Sequence, residues 1–223
     1  MRGLRSLAGF FIAFGVAGSV TGTAQLHAHW ISCFSDDGQR LIGAKKETTP
    51  VLSSADGSLR AYAEIDARVS PTKSCGNTVR LFVAERGSKS HQVYLQEPSV
   101  ATGNANSLGP VQWSSDSRWL LVERGNWWYE SDAGATDFLL YDRKTGHVTA
   151  PNFVMAIEKQ LRKRCETRVL SVIGFDKGNR VLLGLADNQE EGDDKPSTDC
   201  FADSTDWAFD PQNSSVSAVK TLK

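Results

Sequence analysis

The chain has 223 residues, with 25 Lys and Arg against 26 Asp and Glu, which gives a formal net charge of −1. A chain so close to neutral lacks the basic surface that nucleic-acid binding requires, so we predict no nucleic-acid partner. The length fits one large or two small domains.

The N-terminal residues are typical of a secretory signal peptide. Arg2 and Arg5 precede an uncharged apolar run at 7–20, and small residues follow at 21–24. The run is too short for a stable membrane span. We therefore predict a signal peptide at 1–24, with Ala28 as the alternative cleavage site, and export to the periplasm or the medium. An N-terminal hairpin segment at 25–49 and a repeat domain at 50–223 would follow.

All four cysteines lie beyond the predicted signal peptide: Cys33, Cys75, Cys165 and Cys200. An even number of cysteines in an oxidising compartment predicts two disulfides, for which three pairings are conceivable. No two cysteines have the Cys-x-x-Cys spacing of a metal knuckle or a redox pair. We therefore predict no metal and no cofactor.

A sequence repeat is carried by Asp56, Asp116 and Asp176, which lie sixty residues apart. Each follows a short apolar strand, stands in a polar turn with Gly or Ser, and precedes a second strand. Self-similarity at a fixed period is typical of a repeat architecture. We expect the three aspartates to occupy matching turns, where a short side-chain acceptor can bind turn amides.

Each repeat continues into two further strands. The third strands are predicted near 78–84, 137–142 and 206–210, and the fourth near 91–95, 147–149 and 216–219. Alternating apolar residues with Gly or Asn turns between them favour antiparallel hairpins, and four strands are the content of a propeller blade. The predicted fold is all-β, with three four-stranded antiparallel propeller-like blades at about 50–100, 107–150 and 167–220.

A single short helix is predicted at 152–164, between the second and third repeats. Phe153, Ile157 and Leu161 lie on one face of it, and basic residues fill its final turn. Such an apolar stripe indicates a helix packed against the blades. Trp113, Trp119 and Trp207 fall inside predicted strands, so we expect them in the core.

Short motifs in the repeats resemble those of a known family. Ser-Asp-Ser-Arg-Trp-Leu at 115–120 and Leu-Tyr-Asp-Arg-Lys-Thr-Gly at 140–146 are similar to turns of TolB-like, WD40-like periplasmic β-propeller repeats, and a partial copy stands at 34–42. The resemblance implies a propeller-like fold and carries no catalytic residues. Closed propellers have at least four blades. The three repeats could thus form an open arc, close with the N-terminal hairpin, or assemble from two chains.

Strand order predicts the disulfide pairing. Cys165 immediately precedes the first strand of the third repeat, and Cys200 ends the loop that leads to its third strand. Both positions lie at the same end of one up-and-down blade, so we predict Cys165–Cys200. The remaining pair, Cys33–Cys75, would tie the N-terminal segment to the first repeat.

The loops between second and third strands should share one face of the molecule. The middle loop, at 124–136, contains Trp127, Trp128 and Tyr129. Exposed aromatic residues on a rigid scaffold can stack on sugars or anchor a partner protein. The chain has no Gly-x-Ser-x-Gly elbow, no His-Glu-x-x-His and no phosphate-binding glycine loop, which favours a non-catalytic role.

The predicted function is therefore an exported domain that binds a partner protein or an envelope glycan through these three aromatic residues. The alternatives are a hydrolase or lyase acting on a cell-wall or extracellular polymer, and a structural assembly component. An acidic group or histidine beside the aromatics would favour the enzyme, and burial of the aromatics would favour the structural role.

Overall fold

The computed structural model describes residues 31–34, 42–69, 75–98, 104–128, 134–165, 170–185 and 205–220. These residues form three antiparallel sheets, each built from consecutive strands in up-and-down order. The first sheet contains β1 (Lys45–Thr48), β2 (Leu52–Ser53), β3 (Leu59–Val69), β4 (Cys75–Glu85) and β5 (His91–Gln96). The second contains β6 (Asn104–Trp113), β7 (Trp119–Trp128), β8 (Gly134–Asp142) and β9 (His147–Thr149), and the third contains β10 (Leu170–Phe175), β11 (Val181–Leu185), β12 (Thr205–Asp210) and β13 (Ser215–Lys220). The predicted all-β class with three antiparallel units is confirmed.

Pairing at the start of every sheet changes register once. Pairing of β6 with β7 shifts between Pro110 and Gln112, and pairing of β10 with β11 shifts between Val172 and Gly174. In the first sheet β1 and β2 both pair with β3, and their registers differ by one residue across Pro50. Proline has no N–H to donate, which suits it to a bulge. The first sheet therefore begins at β1, inside the segment predicted as a separate N-terminal hairpin.

The second sheet is the middle layer of the fold. Leu120, Leu121 and Val122 are consecutive and all buried, so both faces of β7 are covered. Leu120 and Val122 pack against the first sheet, whereas Leu121 packs against the third sheet and the helix. Trp113, Trp119 and Trp207 are buried, which confirms their predicted place in the core.

The helix α1 (Phe153–Leu161) lies between the second and third sheets in the chain. The side chain of Asn152 accepts a hydrogen bond from the amide of Met155, which caps the first turn. Arg162 takes a left-handed conformation, so the helix ends at Leu161, three residues before the predicted end at 164. The ring of Phe153 meets that of Phe209 edge to face, with centroids 5.0 Å apart. The predicted helix is confirmed, packed against the third sheet.

A disulfide joins Cys33 to Cys75 at a Cα–Cα distance of 5.6 Å, as predicted. Both residues are buried in the core between the first and second sheets. The amide of Ile42 donates to the carbonyl of Cys33 at 2.7 Å. The bond therefore anchors the N-terminal segment to the start of β4. Cys165 is also disulfide-bonded, and its predicted partner Cys200 lies outside the described residues.

Removal of the Cys33–Cys75 bond should lower the free energy of unfolding by about 4 kcal/mol, because it restores loop entropy to the unfolded chain. The bond spans a sequence separation of 42. Urea unfolding of Cys33→Ser, Cys75→Ser and the double variant measures this loss. The two single variants should each lose nearly as much as the pair, since they break the same bond. Additive losses would contradict the prediction and point to side-chain packing.

Candidate functional site

The two ends of the sheets differ in chemistry. At the turn end, the first and second strands of each sheet are joined by short turns at 54–58, 114–118 and 176–180. At the loop end lie the disulfide and the last residues of β3, β7 and β11, which are Val69, Trp128 and Leu185. We call these the turn end and the loop end.

The three predicted aspartates all lie at the turn end and perform the same local task. A side-chain oxygen of Asp56, Asp116 and Asp176 accepts the amide two residues further on, at 3.0, 3.1 and 2.8 Å respectively. This is the expected capture of a turn amide by a short acceptor. The aspartates therefore stabilise the turns in which they stand.

Their positions within the turns are not all equivalent. In each turn the amide of a residue with positive φ donates to the carbonyl three residues earlier, and these donor–acceptor pairs are Gly57–Ser54, Ser117–Ser114 and Asn179–Asp176. Asp176 thus takes the place of Ser54 and Ser114, two residues before the place of Asp56 and Asp116. The predicted equivalence of Asp176 is wrong by two residues. The third turn is also shorter, since it is closed by Asp176 and Arg180, where the first is closed by Ser54 and Leu59.

The electrostatics of these aspartates are those of structural groups. The hydroxyl of Ser54 and the amide of Ser58 lower the pKa of Asp56. Burial raises the pKa of Asp176, but the amide and guanidinium of Arg180 outweigh it and the pKa is lowered. Both groups are held as carboxylates, which suits an acceptor of turn amides rather than a proton donor.

At the loop end, Trp127 and Trp128 lie on β7, not in a loop. β7 runs to Trp128 because its ladder continues, with Trp127 opposite Ala105 on β6 and opposite Gly134 on β8. Residues 124–128 and 134–136 of the predicted loop therefore lie on β7 and β8. Tyr129 lies outside the described residues, as does the side chain of Trp128. Of the three predicted binding residues, Trp127 is the one whose side chain the structure describes.

The ring of Trp127 rests on the backbone of Gly134. A Cβ placed at Gly134 would come within 2.6 Å of Cε3 of the ring, so only glycine permits this contact. Trp127 remains 39% exposed. Because it lies six residues after Leu121 on one strand, it faces the same side of the sheet. The structure thus presents a large aromatic ring on a strand paired on both sides.

Behind Trp127, a polar network crosses between the first and second sheets. The side chain of Asn77 donates to the carbonyl of Asn106 at 3.2 Å, and Asn106 donates back to the carbonyl of Asn77 at 2.9 Å. Asn77 also donates to the carbonyl of Ile31 at 2.8 Å, next to the disulfide. Both asparagines are buried. The pair therefore fixes the two sheets and the N-terminal segment against one another.

The network continues from Asn106 to the surface. Gln96 donates to Asn106, and the hydroxyl of Tyr94 donates to Gln96, each at 3.0 Å. Arg124 donates to the hydroxyl of Tyr94 at 3.0 Å and to Asp137 at 2.6 Å. The hydrogen bond that Arg124 donates to Asp137 raises the pKa of the guanidinium. Asp137, on the strand next to Trp127, is thus engaged in an ion pair.

Two further buried oxygens lie in the β6–β7 ladder at the loop end of the second sheet. Among the described residues, Oγ of Ser107 and Oδ1 of Asn126 are buried and have no hydrogen-bond partner. Their positions are opposite Gly125 and Asn106 in the β6–β7 ladder.

The network could have been found from the sequence. The inward residues of β4 alternate as Cys75, Asn77, Val79, Leu81 and Val83, and Asn77 is the polar member of an apolar series. A polar residue at an inward position predicts a satisfied buried hydrogen bond. No comparable signal marks Gly134 as the support of Trp127, because the contact depends on the register of β7 and β8.

Within the described ranges, no group of three or more His, Cys, Asp or Glu residues is arranged to hold a metal ion. In the same ranges, no helix is long and apolar enough to cross a bilayer. Comparison of the chain with protein-family models, with curated proteins and with solved structures finds no match.

Replacement of Asn77 by Ala should lower the free energy of unfolding by about 2–4 kcal/mol, since it removes two buried hydrogen bonds and leaves their acceptors unpaired. Thr78→Ala is the matched control, because Thr78 lies on the opposite face of the same strand and is half-buried. Chemical unfolding measures both variants. Equal losses in the two would show that the network does not hold the sheets together.

Proposed function

We propose that this chain is an exported, non-catalytic β-repeat domain that binds a partner protein or an envelope glycan through the loop end of its second sheet. Trp127 is the principal contact residue. The 39% exposure of its ring, on a strand paired at both sides, carries the proposal. A purely structural part would be expected to bury this residue.

The support of the ring by Gly134 favours binding. A tryptophan whose position is fixed by its own sheet loses little conformational entropy when a ligand covers it. Trp offers one face for a sugar ring or for the apolar anchor of a protein partner.

The titrating groups favour binding over catalysis. The pKa values of Asp56, Asp66, Asp142 and Asp176 are all lowered. A general acid at neutral pH needs a raised carboxyl pKa, as in glycoside hydrolases. These four groups instead act as acceptors for amides and arginines.

Export is supported by two features. The Cys33–Cys75 disulfide suits an oxidising compartment. The apolar run at 7–20 after two arginines has the pattern of a signal peptide.

Replacement of Trp127 by Ala should weaken binding roughly 5- to 150-fold, because an aromatic anchor or stacking ring contributes roughly 1–3 kcal/mol. Trp127→Phe should retain part of the affinity. Gly134→Ala should weaken binding while it keeps the tryptophan, since the added Cβ must displace the ring. Leu95→Ala is the control, as Leu95 is an exposed apolar residue of the first sheet.

Recovery of binding partners from an envelope fraction measures these effects, with the fraction treated by protease or by glycosidase in parallel. Loss of recovery after protease identifies a protein partner, and loss after glycosidase identifies a glycan. The proposal is wrong if wild type and Trp127→Ala recover the same partners in equal amounts.

A further inference from the structure

Hydrogen bonds at the turn end link each sheet to the next. The amide of Asp56 donates to Oγ of Ser117, and the amide of Asp116 donates to Oδ1 of Asn179, each at 3.3 Å. Both acceptors have positive φ, 58° and 62°, which is uncommon outside glycine. The hydrogen bonds explain why these positions hold Ser and Asn, because a glycine would offer the preceding sheet no side-chain acceptor.

A second link follows two residues later in each turn. Ser58 accepts a hydrogen bond from Arg143 of the second sheet at 3.2 Å. Arg118, the equivalent of Ser58, donates to Gln212 of the third sheet at 3.1 Å. In the first two sheets, both positions therefore reach forward to the sheet that follows.

In the third sheet, the donors at both equivalent positions form their hydrogen bonds within the same sheet. Gly178 is the equivalent of Asp56 and Asp116, and its amide donates to Asp176 of its own turn at 2.8 Å. Arg180 is the equivalent of Arg118. Its guanidinium donates to Asp176 at 2.7 Å and to Ser217 of the same sheet at 3.3 Å. The offset position of Asp176 is what allows it to take both donors.

The first sheet lacks the means to accept a preceding sheet. Gly57 stands where Ser117 and Asn179 stand in the other turns, and a Cβ built there would meet nothing within 4 Å. The outward face of this sheet carries three ion pairs next to the stacked rings of Tyr62 and Phe82: Lys46–Glu64 at 2.7 Å, Arg80–Glu64 at 3.3 Å and Arg68–Asp66 at 2.6 Å. Burial of such pairs against another sheet would require their desolvation.

We infer that both ends of the three-sheet stack are stopped by their own side chains, so that no sheet of a second copy of this chain adds to either end. The stack neither closes through a dimer nor extends into a larger propeller. Asp176 makes the stop at the third sheet, and Gly57 together with the ion-paired face makes the stop at the first. Among the arrangements that three repeats allow, this favours an open stack.

Amide hydrogen exchange of the full chain, resolved by NMR, tests the inference. Asp176→Ala should speed exchange of the Gly178 amide roughly fivefold, the loss of one hydrogen bond, and leave the Asp116 amide unchanged. Asn179→Ala should do the converse. Asp176→Asn keeps the acceptor oxygen and should keep the protection of Gly178, which separates loss of the bond from failure to fold.

Amide exchange measured in dilute and in concentrated solution tests whether a second copy associates with the first or the third sheet. Exchange at Gly178 and at Glu64 should not depend on protein concentration, and sedimentation should give no association through these faces. Protection that rises with concentration at either residue overturns the inference. Exchange of Gly178 that is insensitive to Asp176→Ala also overturns it, since the donor would then be bound elsewhere.

Discussion

The fold depends on the burial of both faces of the second sheet. Leu120, Leu121 and Val122 follow one another along β7, and Leu139, Leu140 and Tyr141 do so along β8, and all six are buried. A strand with apolar side chains on both faces is stable only when other elements pack on both sides of it. The first and third sheets are held in place by this requirement. The outward face of the first sheet, in contrast, alternates charged and polar residues with the apolar ones that face inward.

Apolar packing alone would allow these layers to slide, and buried polar pairs remove that freedom. The amides of Asn77 and Asn106 are satisfied only when the carbonyls of β4 and β6 stand opposite one another. Trp113 adds a second fixed point, since its indole N–H reaches the carbonyl of Leu52 at 3.3 Å. An unpaired polar group in this interior would cost more than a displaced leucine contact. The polar groups therefore select one arrangement of layers that the leucines stabilise.

Sequence periodicity predicted the strands and the helix, because both depend on local pattern. The Cys33–Cys75 bond was predicted as the pair that remained once strand order had assigned Cys165 to Cys200. Periodicity gave wrong positions where strand pairing and turn alignment, rather than local pattern, determine the place of a residue. Trp127 stands in a stretch that reads as a polar, aromatic connection, yet β7 continues through it because β6 and β8 are long enough to pair there. Asp176 matches the sixty-residue period by number alone, because its structural equivalent Ser114 lies sixty-two residues before it, whereas Ser54 lies sixty before Ser114. The predicted boundary at 49/50 also separates β1 from β2, although both strands pair with β3 in one sheet.

The position of the Cys33–Cys75 bond has a consequence for the order in which the chain matures. Both sulfurs, and all of β1 to β3, precede the second sheet in the chain. A chain delivered from its N-terminus can therefore be oxidised while the leucines of β7 are still absent. The side-chain amide of Asn77 can bond to the carbonyl of Ile31 before the second sheet is present. Its bond to the carbonyl of Asn106 can form only once β6 is in place. The disulfide can thus fix the start of β4 before the second sheet packs against it. An oxidant that acts after folding would find both sulfurs buried.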